Sequence, residues 1–315
     1  MSNVQSYLYY ISKVTKSKNM DNISRTKAYQ KFYFRHPEIK WALLASVVSR
    51  NAGWNMTDLF IPSFQTVLGE KERMELFMTY ERANWLIFSD AFPQLLIYQL
   101  SKQKRKPLFS LLSYFHVSSF MIKEWNHFWE TYDEDRLMVA LIINEQNVIH
   151  HPVIKQSYFK KQIFHKLPYL MQNYLFMSAV ILPTRSARLY GVTVFQFTNL
   201  SKRIETGKRI ANILFNNKIH PHILCFLQTV EHTGSRFDYE QFLRMSLPKS
   251  PMLRFVYPVV THKDKIRNDW YKYRGVKSKW FQNNTKDKIS HFGTSFYLKR
   301  HILKKYTSLK SRLFS

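Results

Sequence analysis

The sequence predicts an all-α protein, a large multi-helix globular domain with a basic C-terminal extension and at most one or two short strands. Apolar residues recur at helical spacing at Ile39, Leu43, Leu44, Val47 and Val48, which places them on one helical face. Prolines punctuate the chain at intervals that suit helices of about 10 to 20 residues. Hairpin signals of the Asn-Gly type and internal repeats are both missing, which argues against a β-protein or a solenoid.

Three elements can be placed in order along the chain. Pro37 suits the first turn of a helix that carries the apolar face described above. The acidic residues 133–135 precede the apolar run 137–143, and acids are favourable at the positive end of a helix dipole. Leu189 to Phe197 alternates in part and contains β-branched residues, so it is the best candidate for a strand.

Composition excludes several classes of protein. The 45% hydrophobic and 16% aromatic content rules out a disordered chain. The single cysteine, Cys225, can form neither an internal disulfide nor a paired-cysteine zinc site, and the N-terminus has no secretory signal. Asp90 interrupts the apolar stretch Asn84 to Leu100, and other apolar stretches are short or interrupted, so we expect no transmembrane span. The expected location is cytoplasmic, with peripheral membrane contact as an alternative.

Net charge is the strongest functional signal. The formal charge is +27, and residues 263–315 contain 15 Lys+Arg against 3 Asp+Glu. Such an excess predicts an anionic partner, either nucleic acid or an anionic membrane surface. The shift in composition also predicts three regions: an N-terminal helix or arm at 1–24, a helical core domain at 25–262, and a basic, aromatic-rich region at 263–315.

The basic C-terminal region supplies the candidate residues for polyanion binding. Aromatic rings lie among its cations, and bases stack on such rings. The same mixture suits an interfacial membrane helix at His301 to Phe314, and a solvated helical face docked on the body is the alternative without binding. The candidates are Lys272, Arg274, Lys277, Lys279, Trp280, Lys299, Arg300, Lys304 and Lys305.

Polar segments interrupt apolar helical sequence at 49–55, 81–85 and 144–147. A buried charge or amide needs a partner, and pairing of Arg50 with Glu81 or Glu145 would supply one. The segments predict either a structural polar network between helices or a ligand or active site.

A dense polar cluster follows at 231–240. A Thr-Gly-Ser turn with Arg236 is suited to hold a phosphate or carboxylate, and His232 is a candidate general base. Equally, Thr233 or Ser235 can be an ordinary helix N-cap.

The alternative function is therefore an enzyme of unknown class with a polar interhelical site. It requires the polar residues to converge within about 15 Å. The candidates are Arg50, Asn51, Glu81, Asn84, Glu145, Asn147, His232, Ser235, Arg236 and Asp238. Known enzyme motifs are absent, and Glu124-x-x-His127 is a single motif where di-iron bundles need two, so we expect no metal and no cofactor. No small-molecule partner is identifiable.

Four segments, His36 to Leu59, Glu81 to Leu96, Ala140 to Asn147 and His232 to Glu240, resemble the uncharacterised YppC-like family of Gram-positive bacilli. The resemblance covers residues 25 to 270 or so. It implies a cytosolic bacterial protein, and it carries over no catalytic residue because the family has no assigned activity.

Overall fold

The chain is predominantly α-helical with one small antiparallel sheet. A computed structural model describes residues 2–155, 179–194, 196–243, 249–258, 260–263, 267–282, 292–293, 296–298, 300–302, 304–305 and 307. The helices are α1 (Ser2–Lys18), α2 (Asn22–Arg35), α3 (Lys40–Asp58), α4 (Pro62–Val67), α5 (Glu70–Lys104), α6 (Ser119–Thr131), α7 (Glu134–Val148), α8 (Leu200–Leu214), α9 (His220–Thr229), α10 (Phe237–Glu240), α11 (Leu253–Val256) and α12 (Trp270–Arg274). Phe109–Phe115 and Ser278–Trp280 are 3₁₀ segments, and His150–Ile154 is a π-helical turn. The strands are β1 (Ala179–Pro183) and β2 (Leu189–Thr193). The predicted fold class is confirmed.

Helix α3 is the central element. It packs against α2, α5, α7 and α8, and nearly every one of its side chains is buried. The N-terminal part of α3 contributes Trp41, Leu43 and Leu44 to the main core. Trp270 and Trp280, from the basic C-terminal region, are buried in that same core. These two tryptophans of the basic C-terminal region therefore pack on the helical body.

Local sequence explains where the helices begin. Asp133 accepts a hydrogen bond from the Arg136 backbone N–H at 2.9 Å and caps α7, so the acidic residues at 133–135 lie at a helix start as predicted. The helix expected at Pro37 begins at Lys40 instead. The cause is a turn over 36–39, in which the Ile39 N–H donates to the His36 carbonyl at 3.0 Å.

Helix α5 has 35 residues and contains Pro93, so it is longer than the proline spacing predicts. Pro93 has no N–H for the Ser89 carbonyl, and Arg267 Nη2 donates to that carbonyl at 3.4 Å. Asp90, in the same helix, is buried and accepts hydrogen bonds from Gln94 and Asn144. Within the described residues, no helix has both the length and the apolar character needed to cross a bilayer.

The two strands form a hairpin that the sequence signals missed. Their register runs from Ala179 opposite Thr193 to Pro183 opposite Leu189, so the predicted strand is real but ends at Thr193. Its loop lacks Asn-Gly and instead holds Ala187 at a φ of 60°. Asn51 of α3 fixes β1, because its side chain accepts from the Ile181 N–H at 2.7 Å and donates to the Ile181 carbonyl at 2.8 Å.

Candidate functional site

Arg236 lies in a buried ion-pair network rather than at a ligand site. Its Nε donates to Asp58 at 2.7 Å, and its remaining nitrogens donate to Tyr239 and Asn55, each at 2.9 Å. Arg300 donates to the same Asp58 carboxylate at 3.0 Å. Protein groups therefore engage the donors of Arg236 and the side chain is 1% exposed, an arrangement that favours a structural role over the phosphate or carboxylate site predicted from the sequence.

Ser235 is likewise engaged inside the protein. Its hydroxyl donates to the Ser250 carbonyl at 2.7 Å and accepts from the Phe237 N–H at 3.2 Å. The Thr-Gly-Ser turn thus fastens the segment at 250 to the start of α10.

His232 is fully internal. Its Nε2 lies 3.2 Å from Asn22 Oδ1, and its Nδ1 lies 3.3 Å from Asp238 Oδ2. Trp54 Nε1 and the Thr233 hydroxyl both donate to Asp238. Burial lowers the pKa of His232 to about 4, with the nearby Arg50 acting in the same direction. Because the ring is 2% exposed and both nitrogens face protein groups, this geometry favours a structural role over a general base.

Arg50 pairs with neither Glu81 nor Glu145, so that expectation is wrong. Its Nη2 donates to the Val230 carbonyl at 3.1 Å, and its guanidinium lies 5.5 Å from the centre of the Phe226 ring. Within the described residues its Nε and Nη1 have no hydrogen-bond acceptor. Burial lowers the pKa of Arg50 to about 10.

Glu81 finds its partner in α2. Arg25 Nη1 donates to Glu81 at 2.8 Å, and His262 Nε2 lies 2.8 Å from the same carboxylate. Burial acts to raise the pKa of Glu81, but the hydrogen bonds from Arg25 and His262 outweigh it and the net shift is downward. Sequence reasoning missed Arg25. Its position in the sequence does indicate burial, because Arg25 shares a helical face with Asn22, Tyr29 and other buried residues.

Three predicted residues do come together. Asn51, Asn84 and Glu145 line one cavity of about 190 Å³ between α3, α5, α7, α8 and the hairpin. Asn147 does not line it; its amide donates to the Ile143 carbonyl at 2.9 Å, and its buried Oδ1 has no donor among the described residues. The ten candidates therefore divide between this cavity and separate buried networks.

Glu145 is the acidic group in the cavity wall. It accepts hydrogen bonds from Trp41 Nε1 at 3.1 Å and Gln146 Nε2 at 3.0 Å. Burial raises the pKa of Glu145 to about 7. Ion pairs among the described residues do not include it.

The cavity also has polar wall residues that the sequence reading missed, namely Thr79, Arg203 and Thr206. Arg203 is buried, and it donates to Gln146 Oε1 at 2.8 Å and to the Phe197 carbonyl at 2.7 Å. The sequence of α8 does indicate that Arg203 is buried, because it shares the spacing i, i+4, i+7 with Gly207 and Ile210 on a buried face.

The predicted polyanion-binding residues differ in exposure. Those that are exposed are Lys272, Lys277, Lys279, Lys304 and Lys305. Trp280 is 6% exposed and donates to Ser201, so its ring is not presented for stacking. Arg300 is paired with Asp58, and Lys299 lies outside the described residues.

Positive charge is concentrated next to α12. Arg274 is half-buried, and burial lowers its pKa. Burial also lowers the pKa of His151, and the charges of Arg274 and Lys155 act in the same direction. Burial lowers the pKa of His150 to about 3, and the charges of Arg203, Arg274 and Lys155 act in the same direction. The local field at this surface is therefore positive.

Comparison with known proteins gives a family without an assigned activity. A family model described as "Protein of unknown function (DUF2515)" matches residues 17–294. The uncharacterized protein YppC of Bacillus subtilis (strain 168) is 48% identical over 280 residues, which cover 89% of this chain and 87% of that protein. No solved structure matches the chain.

Proposed function

This chain belongs to the DUF2515 family of proteins of unknown function, and we propose that it binds a polyanion through the basic surface formed by Lys272, Arg274, Lys277 and Lys279. The observation that carries the proposal is a set of cations, close together in sequence, that no acid neutralises within the described residues. Lys272, Lys277 and Lys279 are exposed, and the ion pairs of the described residues include none of them. A cationic patch of this kind attracts phosphate groups and releases their counterions on binding.

Nucleic acid is the polyanion that this surface favours. Tyr273 lies between Lys272 and Arg274 in α12 and is 78% exposed. An exposed ring flanked by cations is the arrangement on which an unpaired base stacks while its phosphates contact the lysines. Tyr273 is therefore the stacking residue of this proposal, whereas Trp280, one of the candidates for polyanion binding, is buried.

The test must separate this surface from the general attraction of a protein of charge +27. We would titrate the full chain with a fluorescent single-stranded RNA or DNA of mixed sequence at several salt concentrations. The test variant carries Lys272→Glu, Lys277→Glu and Lys279→Glu. A matched control carries Lys31→Glu, Lys71→Glu and Lys218→Glu, which changes the charge equally at exposed lysines on other elements.

We expect the test variant to bind at least about tenfold more weakly than the control and to lose about three from the slope of log affinity against log salt. Tyr273→Ala weakens binding without changing that slope. Equal binding by the two triple variants would refute the assignment of the surface. Binding to phosphatidylserine vesicles but not to nucleic acid would show that the partner class is wrong.

A further inference from the structure

The cavity next to Glu145 is large for a protein interior. Its wall is mainly apolar and includes Leu76, Ile87, Val153 and Ile210. Protein interiors are close-packed and leave few voids larger than a water molecule. A volume of about 190 Å³ exceeds the roughly 150 Å³ of an engineered apolar cavity that admits benzene. The space therefore suits a small organic molecule.

The uncharged polar groups in this wall offer acceptors to the lumen. The Thr79 hydroxyl donates to the Glu75 carbonyl and the Thr206 hydroxyl to the Lys202 carbonyl, each at 2.8 Å. The Asn84 amide nitrogen donates to the Tyr80 carbonyl at 2.8 Å. Since both hydroxyl donors and one of the two Asn84 N–H donors are used within their own helices, the hydroxyl lone pairs and Asn84 Oδ1 remain as acceptors.

Asn51 and Gln146 are occupied by protein. Asn51 uses both ends of its amide on the β1 backbone. Gln146 donates to Glu145 and accepts from Arg203 Nε, so it stands between the carboxylate and the guanidinium. Arg203 also contacts the Phe197 carbonyl, the Gln146 carbonyl at 3.0 Å and His150 Nδ1 at 3.2 Å.

Glu145 is the acidic wall residue whose oxygens can accept further hydrogen bonds. Its two oxygens receive one hydrogen bond each, from Trp41 and Gln146, whereas an ionised carboxylate has about four acceptor positions. A carboxylate in an apolar wall is costly unless a cation neutralises it. A ligand with a positive charge and N–H donors would neutralise the carboxylate and also occupy its free acceptor positions.

We propose that this cavity binds a small apolar amine, whose ammonium group pairs with Glu145 and whose hydrocarbon body packs against Leu76, Ile87 and Ile210. Acceptors at Thr79, Asn84 and Thr206 offer positions for its remaining N–H groups. This site is independent of the basic surface at α12, because none of Lys272, Lys277 and Lys279 lines the cavity.

The experiment compares three probes of one shape: benzylamine, benzyl alcohol and benzoate. Each is titrated into the full chain at pH 8 by calorimetry, with intrinsic tryptophan fluorescence as a second readout, to which Trp41 contributes through an indole that contacts Glu145. We expect benzylamine to bind at least about tenfold more tightly than benzyl alcohol, and benzoate to bind most weakly. Hexylamine provides a slimmer second amine.

Two variants assign the binding to this cavity. Glu145→Gln keeps the shape and an acceptor for Trp41, so we expect it to lose the preference for amine over alcohol. Ala83→Leu fills the cavity from α5 and removes binding of both probes. Glu130→Gln, at an exposed position of α6, is the control and leaves every affinity unchanged.

The proposal fails if benzoate binds best, since Arg203 would then be the recognition group. It also fails if alcohol and amine bind equally, if Glu145→Gln keeps the amine preference, or if neither amine shows saturable binding at millimolar concentration. Loss of nucleic-acid binding in the lysine variants described above has no bearing on these outcomes.

Discussion

His232 Nε2 faces the Oδ1 atom of Asn22 at 3.2 Å, and its Nδ1 faces Asp238 Oδ2 at 3.3 Å. The Asn22 amide nitrogen donates to the Ser49 carbonyl at 2.8 Å, so the amide oxygen is the Asn22 atom that accepts from the ring. The Gly234 N–H also lies 3.3 Å from His232 Nδ1. Neutral His232 therefore connects α2 to the segment before α10 with both ring nitrogens engaged.

Stability is expected to fall as this histidine is forced to charge. Burial lowers the pKa of His232 from 6.5 to about 4, so between these values the folded state binds fewer protons than the unfolded chain. The contribution of His232 to the free energy of unfolding is fully present above pH 6.5 and decreases as the pH falls towards 4. The full effect is at most about 3 kcal/mol, since one pKa unit is worth about 1.4 kcal/mol. Urea unfolding at pH 7.5, 6, 5 and 4.5 measures it.

His232→Gln is the control for that pH dependence. Glutamine supplies one donor and one acceptor but does not titrate, so we expect it to cost stability at pH 7.5 and to flatten the loss between pH 6.5 and 4. If the variant and the natural chain lose stability in parallel over this range, His232 is not the group responsible.

Gly53 is expected to tolerate no side chain. A Cβ atom there would lie 2.5 Å from Asn22 Oδ1 and 3.1 Å from the His232 ring. Alanine improves helix propensity by up to about 1 kcal/mol, but overpacking in a filled core costs about 1 to 3 kcal/mol, so we expect Gly53→Ala to be destabilising. Thermal and urea unfolding measure the change. Gly69→Ala is an uncrowded comparison at the N-cap of α5, with a nearest contact at 3.6 Å, and we expect it to cost less although it weakens a cap; an equal or larger cost at Gly69 would contradict the crowding at Gly53.

The buried pair of Arg25 and Glu81 is expected to be strongly coupled. The two side chains are 1% and 0% exposed. Arg25→Leu leaves a buried carboxylate next to His262 and the Tyr257 hydroxyl but without its arginine partner, and we expect a loss of about 3 to 5 kcal/mol. The double variant Arg25→Leu and Glu81→Leu leaves no uncompensated charge at the pair, so it should be less destabilised than Arg25→Leu alone. A double-mutant cycle in urea measures the coupling, and additive losses would show that the pair is not coupled.

The sequence predicted the helical elements better than the polar partners, for a physical reason. Periodicity and caps depend on neighbours within four residues, so the acidic start of α7 and the buried face of α3 could be read directly. Partners separated by 50 residues or more depend on how the helices pack. Arg50 and Asn51 are adjacent in sequence, yet Arg50 donates to Val230 while Asn51 holds β1 beside the cavity. A single sequence contains no information on such long-range pairing.

Glu145 is expected to destabilise the fold at alkaline pH. Burial raises the pKa of Glu145 from 4.5 to about 7, so between these values the folded state binds more protons than the unfolded chain, and the free energy of unfolding falls as the pH rises through this range. Glu145→Gln removes the titration and keeps an acceptor for Trp41. We therefore expect this change to stabilise the chain at pH 8, by no more than about 3 kcal/mol, and to have little effect at pH 5. Melting temperatures of both proteins at the two pH values provide the measurement. A variant that is equally stabilised at pH 5 and pH 8 would mean that packing, rather than the charge of Glu145, causes the change.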